Sequence, residues 1–237
     1  MEIAGPAALA LRTLSPSQVQ FLQLLPKAEL HAHLNGSIPI TTLQELATEY
    51  LASSGLTSAI SSDSLKQGIE ILAAGPVLEN IADFFALFTA IYALTSTPNA
   101  LSRVTRAVLS VFLDGDIPQC QYLELRTTPR ETKDMDREQY IRVVLAEMAR
   151  YRPDQVALIV SLDRRMNKDA VRECVQIASK LKKEGERVVG IDLCGDPNAG
   201  NMQEFEEFLL EAKEAKLGIT LHIAEVCVPL IIFNSLP

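Results

Sequence analysis

No run of apolar residues in this 237-residue sequence approaches the ~18 that a membrane-crossing helix needs. The amino-terminal stretch MEIAGPAALALRTL has a short apolar run but no basic residue before it, so a secretory signal peptide is not expected. Cationic residues are outnumbered, 22 Lys and Arg against 30 Asp and Glu, for a formal net charge of −8. Such a surface argues against non-specific nucleic-acid binding and against docking on anionic lipid. The four cysteines, Cys120, Cys174, Cys194 and Cys227, form no CxxC pair and read as reduced, mostly buried thiols. No GxGxxG follows the first strand-like segment, so a dinucleotide fold has no support. A cytosolic protein is the default expectation.

What is present is an ordinary globular balance, 48% hydrophobic and 22% charged, enough for a sizeable core. Ser15-Pro16-Ser17 is a helix start, with Ser as N-cap and Pro at the first helical position. Ala28 to Leu34 alternates and predicts a strand, which Asn35-Gly36-Ser37 breaks. Helical patterns follow over Thr41–Leu51, Leu65–Ala74, Leu78–Leu94 and Pro98–Leu113, with a Ser-rich loop at Ser53–Asp63. The remainder has a regular beat. Strand-like segments at Gln121–Arg126, Val156–Leu162, Val188–Leu193 and Gly218–Ile223 alternate with helical patterns at Arg137–Arg150, Lys168–Lys183 and Gln203–Ala215. Strands alternating with helices of this length predict βα units around a parallel sheet, five strands in all.

Histidine is the scarcest informative residue: only His31, His33 and His222. His31 and His33 lie two apart on a predicted strand, so both rings face one side, near its carboxyl end. Two imidazoles at that spacing can share a divalent metal, typically zinc. His222 also ends a predicted strand, and in a parallel barrel or sheet all carboxyl ends gather on one face. A hydrogen-bonded surface or core role is the ordinary alternative for any one of them. Other strand ends are polar in the same way: Glu124 to Arg130, Asp163-Arg164-Arg165, Asp192 with Gly195-Asp196-Pro197, and Glu225. Each could simply cap the helix that follows. Their recurrence at the same end of every unit favours a shared site.

Five ordered motifs carry a resemblance. LPKAELHAHLNGSI (Leu25–Ile38), YLELRTTPR (Tyr122–Arg130), SLDRR (Ser161–Arg165), GIDLCGDP (Gly190–Pro197) and LHIAE (Leu221–Glu225) resemble, in order, those of the adenosine and AMP deaminase family. They look most like its adenosine deaminase-like branch, which hydrolyses N6-methyl-AMP and related N6-substituted AMP to IMP. The resemblance implies a (β/α)8 TIM barrel, α/β in class, one zinc ion, a purine nucleotide substrate and, at full length, a monomer. It implies His31, His33 and His222 as zinc ligands and Glu225 as proton donor to purine N1. Asn35 replaces the acidic residue that adenosine deaminases carry two positions after HxH, which suits a nucleotide because a carboxylate there would repel phosphate. Thr127, Thr128, Pro129 and Arg130 resemble the phosphate- and ribose-binding segment, Asp163 and Gly195 match further nucleotide contacts, and His33 also faces substrate. Tyr92 stands where the branch often has His.

After Glu225 the sequence VCVPLIIFNSLP matches none of the family's motifs. The family's later His-Gly-Thr segment and Asp-Asp pair have no counterpart, since no histidine follows His222 and no aspartate follows Asp196. The organisation expected is a helical extension over residues 1–24, a partial deaminase barrel over 25–225 and a non-family tail over 226–237. About five of eight βα units would be present, leaving an open sheet with two edges and an uncovered apolar face, as in a truncated product. Two other readings stay open: a non-catalytic fragment that binds metal weakly or pairs with a partner, and another metal hydrolase of the wider amidohydrolase class.

Overall fold

A computed structural model describes residues 5–54, 63–76 and 81–224. Two helices lead in, α1 (Gly5–Arg12) and α2 (Pro16–Leu24). The Ser15 hydroxyl accepts from the Gln18 backbone N–H and the Gln18 side chain accepts from the Ser15 N–H, a reciprocal capping box with Pro16 in the first turn. Strand β1 (Ala28–His33) follows, then a single 3-10 turn at Leu34–Gly36. Four helices come next: α3 (Ile40–Ser54), α4 (Asp63–Ala74), α5 (Ile81–Leu94) and α6 (Pro98–Leu113). The chain then alternates through β2 (Tyr122–Thr127), α7 (Arg137–Met148), β3 (Val156–Asp163), α8 (Lys168–Lys183), β4 (Val188–Cys194), α9 (Glu206–Glu214) and β5 (Gly218–Leu221). Side chains at the helix starts fix three of these boundaries. Thr97, Asp136 and Asn167 each accept from the backbone N–H three residues on, satisfying a donor that the helix itself leaves orphaned.

All five strands are parallel and lie in chain order, β1-β2-β3-β4-β5. The anticipated βα beat is therefore present, with boundaries within a few residues of those read from the sequence. The Ser-rich loop falls mostly on residues 55–62, outside the described residues. Strand alternation sorts the two faces. On one face Leu123, Leu125, Leu158, Val160, Leu162, Ile191 and Leu193 are buried. They form one core with α6 (Val104, Val108), α7 (Tyr140, Val144), α8 (Val171, Val175) and α9 (Phe208, Ala212).

The other face corrects one expectation. It is not an uncovered apolar surface. The pairings set His33 beside Arg126, Ser161 beside Asp192 and Asp192 beside Thr220. Polar residues of β2 to β4 turn to that side, with Ala157, Ile159 and Cys194 as buried apolar neighbours. In β3 and β4 the apolar members fall on the helix-packed parity, so runs that look uniformly hydrophobic carry their polar residues inward. The sheet closes tightly at its far edge. A Cβ on Gly190 would sit 2.9 Å from the Gly218 carbonyl oxygen, so β4 and β5 approach this closely because position 190 carries no side chain.

Cys120, Cys174 and Cys194 are free and buried, as expected of reduced thiols, and Cys227 lies outside the described residues. No helix among the described residues is long and apolar enough to cross a membrane.

Candidate active site

The three histidines converge. His31 and His33 lie on β1, and His222 comes immediately after β5 ends at Leu221. The sheet brings its two margins together here: His222 Nε2 lies 2.8 Å from His31 Nε2 and 3.1 Å from His33 Nε2. Nitrogen ligands on a tetrahedral zinc are separated by about 3.3 Å, from metal–nitrogen distances of about 2.05 Å. The triangle is thus close to the size a single divalent ion needs. The chemistry of the third ring fits as well. His222 Nδ1 lies 3.1 Å from Asp192 Oδ1 and 3.2 Å from the Leu193 carbonyl oxygen. A carbonyl only accepts, so Nδ1 carries a hydrogen and Nε2 is the nitrogen turned to the cluster.

Burial, chiefly, lowers the His33 pKa to about 4, with the neighbouring His222, His31 and Arg126 acting in the same direction against the pull of Asp192. This ring is neutral and available as a ligand at physiological pH. In the unfolded chain it would titrate near 6.5. As pH falls from 6.5 toward 4, the unfolded state takes up a proton that the folded state refuses, so stability is intact above that window and declines within it. Urea midpoints of the metal-free protein should fall across this range, and less steeply for His33→Gln. Parallel pH profiles for the two proteins would contradict the assignment.

Beneath the histidines lies a charged network that sequence reading named only in part. Asp192 is fully buried. Its Oδ1 accepts from Arg126 Nη1 at 2.9 Å and Thr220 Oγ1 at 2.7 Å besides His222, and its Oδ2 accepts from Ser161 Oγ at 3.2 Å. The partners come from β2, β3 and β5, with His222 from just past the end of β5. A carboxylate and a guanidinium embedded in GIDLC and YLELR were the available signal, since charges inside strands must be paired if buried. Arg164, at the end of β3, donates to the His222 and Pro197 carbonyl oxygens and so ties the β5 end to the loop after β4.

The remaining site candidates divide into two groups. One group gathers at the rim. The Arg130 guanidinium stacks over the Tyr92 ring, 3.7 Å from its centroid. Burial raises the Tyr92 pKa, with Arg130 opposing it and Asp163, Arg165 and Cys194 close enough to contribute. Asp163 is held by Arg165 through a two-pronged contact of 2.9 and 2.6 Å. Burial would raise the Asp163 carboxyl, yet the side-chain and backbone hydrogen bonds from Arg165 hold it below the ordinary value. Thr128 is half-buried beside Cys194, 4.0 Å from its sulfur. Gly195 completes this group. Its φ is +98°, and a Cβ there would meet Asp163 Oδ1 at 2.7 Å. Gly195→Ala should therefore cost about 1–3 kcal/mol from strain and displaced carboxylate together. A lower thermal midpoint is the measurement, and an unchanged one would contradict the geometry.

The second group sits deeper. Thr127 is buried with its hydroxyl 2.9 Å from Tyr140 Oη, turned to α7 rather than to the histidines. Asn35 is also buried, donating to Thr95 Oγ1 and accepting from Tyr140 Oη, both at 3.4 Å. Pro129 is buried between Thr128 and Arg130. Glu225 and the tail 226–237 lie outside the described residues.

Comparison with known proteins agrees with this geometry. The family model described as adenosine deaminase matches residues 26–236. N6-methyl-AMP deaminase of Mus musculus is 34% identical over 220 residues, covering 89% of this chain and 57% of its own length. N6-mAMP deaminase of Arabidopsis thaliana is 32% identical over 235 residues, covering 88% of this chain and 62% of its own. A crystal structure of Arabidopsis ADAL complexed with IMP superposes with a TM-score of 0.72 at 34% identity, over 89% of this chain and 61% of that one. This chain thus spans about three fifths of the length of the relatives it matches. The five parallel strands and their helices correspond to part of a TIM barrel. The chain belongs to the adenosine deaminase family.

Proposed function

We propose that residues 25–225 carry the zinc-binding and nucleotide-binding part of a hydrolytic deaminase that converts N6-methyl-AMP to IMP. The observation that carries this reading is the meeting of His31, His33 and His222 at one rim, with Asp192 and Leu193 fixing the third ring. The relatives named N6-methyl-AMP deaminase and the IMP complex of the Arabidopsis protein support a purine nucleotide as ligand. His31, His33 and His222 would hold a zinc ion, which would supply Lewis acidity at the rim. The chain's own residues supply a proton donor and the phosphate contacts. Glu225 donates a proton to purine N1 as the oxygen of water adds to C6; cleavage of the C6–N bond then releases methylamine, the two protons of that water going to the departing amine and back to Glu225. Arg130 offers a planar two-pronged donor to the phosphate, and Tyr92 holds that guanidinium at the rim. Asn35 brings no charge to oppose the phosphate.

The test is binding and turnover by the purified chain. It should take up near-stoichiometric zinc and bind IMP, and incubation with N6-methyl-AMP should yield little or no IMP at this length. Arg130→Ala should weaken IMP about tenfold to a hundredfold, the range for a lost hydrogen bond to a charged group, and leave inosine unchanged. Failure to retain zinc, or equal losses for IMP and inosine, would overturn the assignment.

A further inference from the structure

Arg126 touches both arms of the histidine cluster without being one of its donors. It is buried on β2, and its two terminal nitrogens point in different directions. Nη1 donates to Asp192 Oδ1 at 2.9 Å, and Asp192 in turn accepts from His222 Nδ1. Nη2 donates to the Leu30 carbonyl at 2.8 Å, the residue before His31. That carbonyl is available for a specific reason. The β1–β2 ladder pairs Glu29 with Leu123 and Ala32 with Leu125, so its register shifts between Glu29 and Ala32. Leu30 and His31 form the irregularity, an extra residue that re-aims a side chain. Side chains take two backbone groups of the irregularity: Arg126 donates to the Leu30 carbonyl, and Glu29 Oε1 accepts from the His31 N–H at 2.8 Å. Arg126 Nε, meanwhile, is buried with no hydrogen-bond partner among the described residues. A buried guanidinium with one donor left unmet is costly, and it holds its place only because the two remaining contacts fix it.

We propose that Arg126 is a positioning residue for the metal centre: it holds the β1 irregularity that aims His31 and, through Asp192, the ring of His222, in one fixed separation. The inference rests on the reading of the three histidines as a metal site. A lysine at this position keeps the charge but offers a compact ammonium in place of a rigid fork, so it cannot reproduce both directions at once. Outer hydrogen bonds of this kind are worth about 10–100-fold in metal affinity.

Zinc affinity, measured by chelator competition on the whole chain, should fall about 10–100-fold in Arg126→Lys. Thr220→Val, which removes a different donor from Asp192, should change it less than Arg126→Lys does, since it leaves both Arg126 links intact. The visible spectrum of the cobalt-loaded protein reads ligand geometry rather than global stability. It should shift in Arg126→Lys and stay as in the wild type for Thr220→Val. If Arg126→Lys does not accumulate folded, Arg126→Gln decides, since its single amide can keep at most one of the two contacts; it should show the same loss and the same spectral change. Wild-type affinity and spectrum in whichever variant folds would overturn the proposal. Absence of zinc binding by the wild-type chain would instead remove the metal reading on which it rests.

Discussion

His222→Ala should lower zinc affinity by about two to three orders of magnitude. Apparent binding energies of about 10–16 kcal/mol for four-ligand zinc sites divide to about 2.5–4 kcal/mol per ligand. His222 is the member of the trio on which the others converge, since both measured nitrogen separations, 2.8 and 3.1 Å, run to its Nε2. The substitution also removes one donor to Asp192, but Arg126, Ser161 and Thr220 still hold that carboxylate, and the Leu193 carbonyl keeps the backbone N–H of residue 222. The fold should therefore survive while the metal is lost. Chelator competition on the variant, with circular dichroism as the check on folding, separates the two effects. A variant that retains wild-type affinity would show that the three rings do not share an ion.

Tyr140→Ala should be among the most destabilising single changes, about 3–5 kcal/mol, with a thermal midpoint lower by roughly 10 °C. Tyr140 on α7 is 1% exposed. Its hydroxyl joins Thr127 and Asn35, and Asn35 continues the chain to Thr95, which donates to the Ile91 carbonyl at the end of α5. One side chain thus links α7, β2, the turn after β1 and α5 under the rim. Burial pushes its pKa up to about 12, with the hydrogen bond to Thr127 opposing the rise, so the hydroxyl keeps its proton near neutrality. Tyr140→Phe keeps the ring and removes only the hydroxyl, and should cost about 1–2 kcal/mol. The ratio of the two losses is the test. Equal losses would mean that the hydrogen bonds, not the packing, carry this residue.

How much of this was legible in the sequence depends on the kind of signal. The βα beat was legible because apolar periodicity and cap residues act locally; Ser15, Thr97, Asp136 and Asn167 are where the helix starts require them. The histidine cluster was legible because only three histidines exist and each falls at a strand end. The motif order supplied the family. The faces were harder. In Val156–Asp163 seven of eight residues are buried, so hydrophobicity does not reveal which parity looks inward. That is why the inner face was expected to be apolar and proved polar. Thr127 shows the same limit: it sits inside a motif of nucleotide-contacting type, yet strand parity turns its hydroxyl to Tyr140. The Arg126–Asp192 pair spans residues 66 apart in sequence, and no local pattern encodes such a contact.

Strand order that copies chain order bears on how the molecule is made. Each βα unit from β2 onward emerges from synthesis next to a neighbour that is already complete, so the sheet can grow by addition at one margin. Local docking of this kind keeps the entropy of closing each loop small. The exception is β1, which waits through residues 34–121, including α3 to α6, before its partner strand appears. The strand bearing two of the three imidazoles is thus translated early and seated late, and the third imidazole arrives last of all.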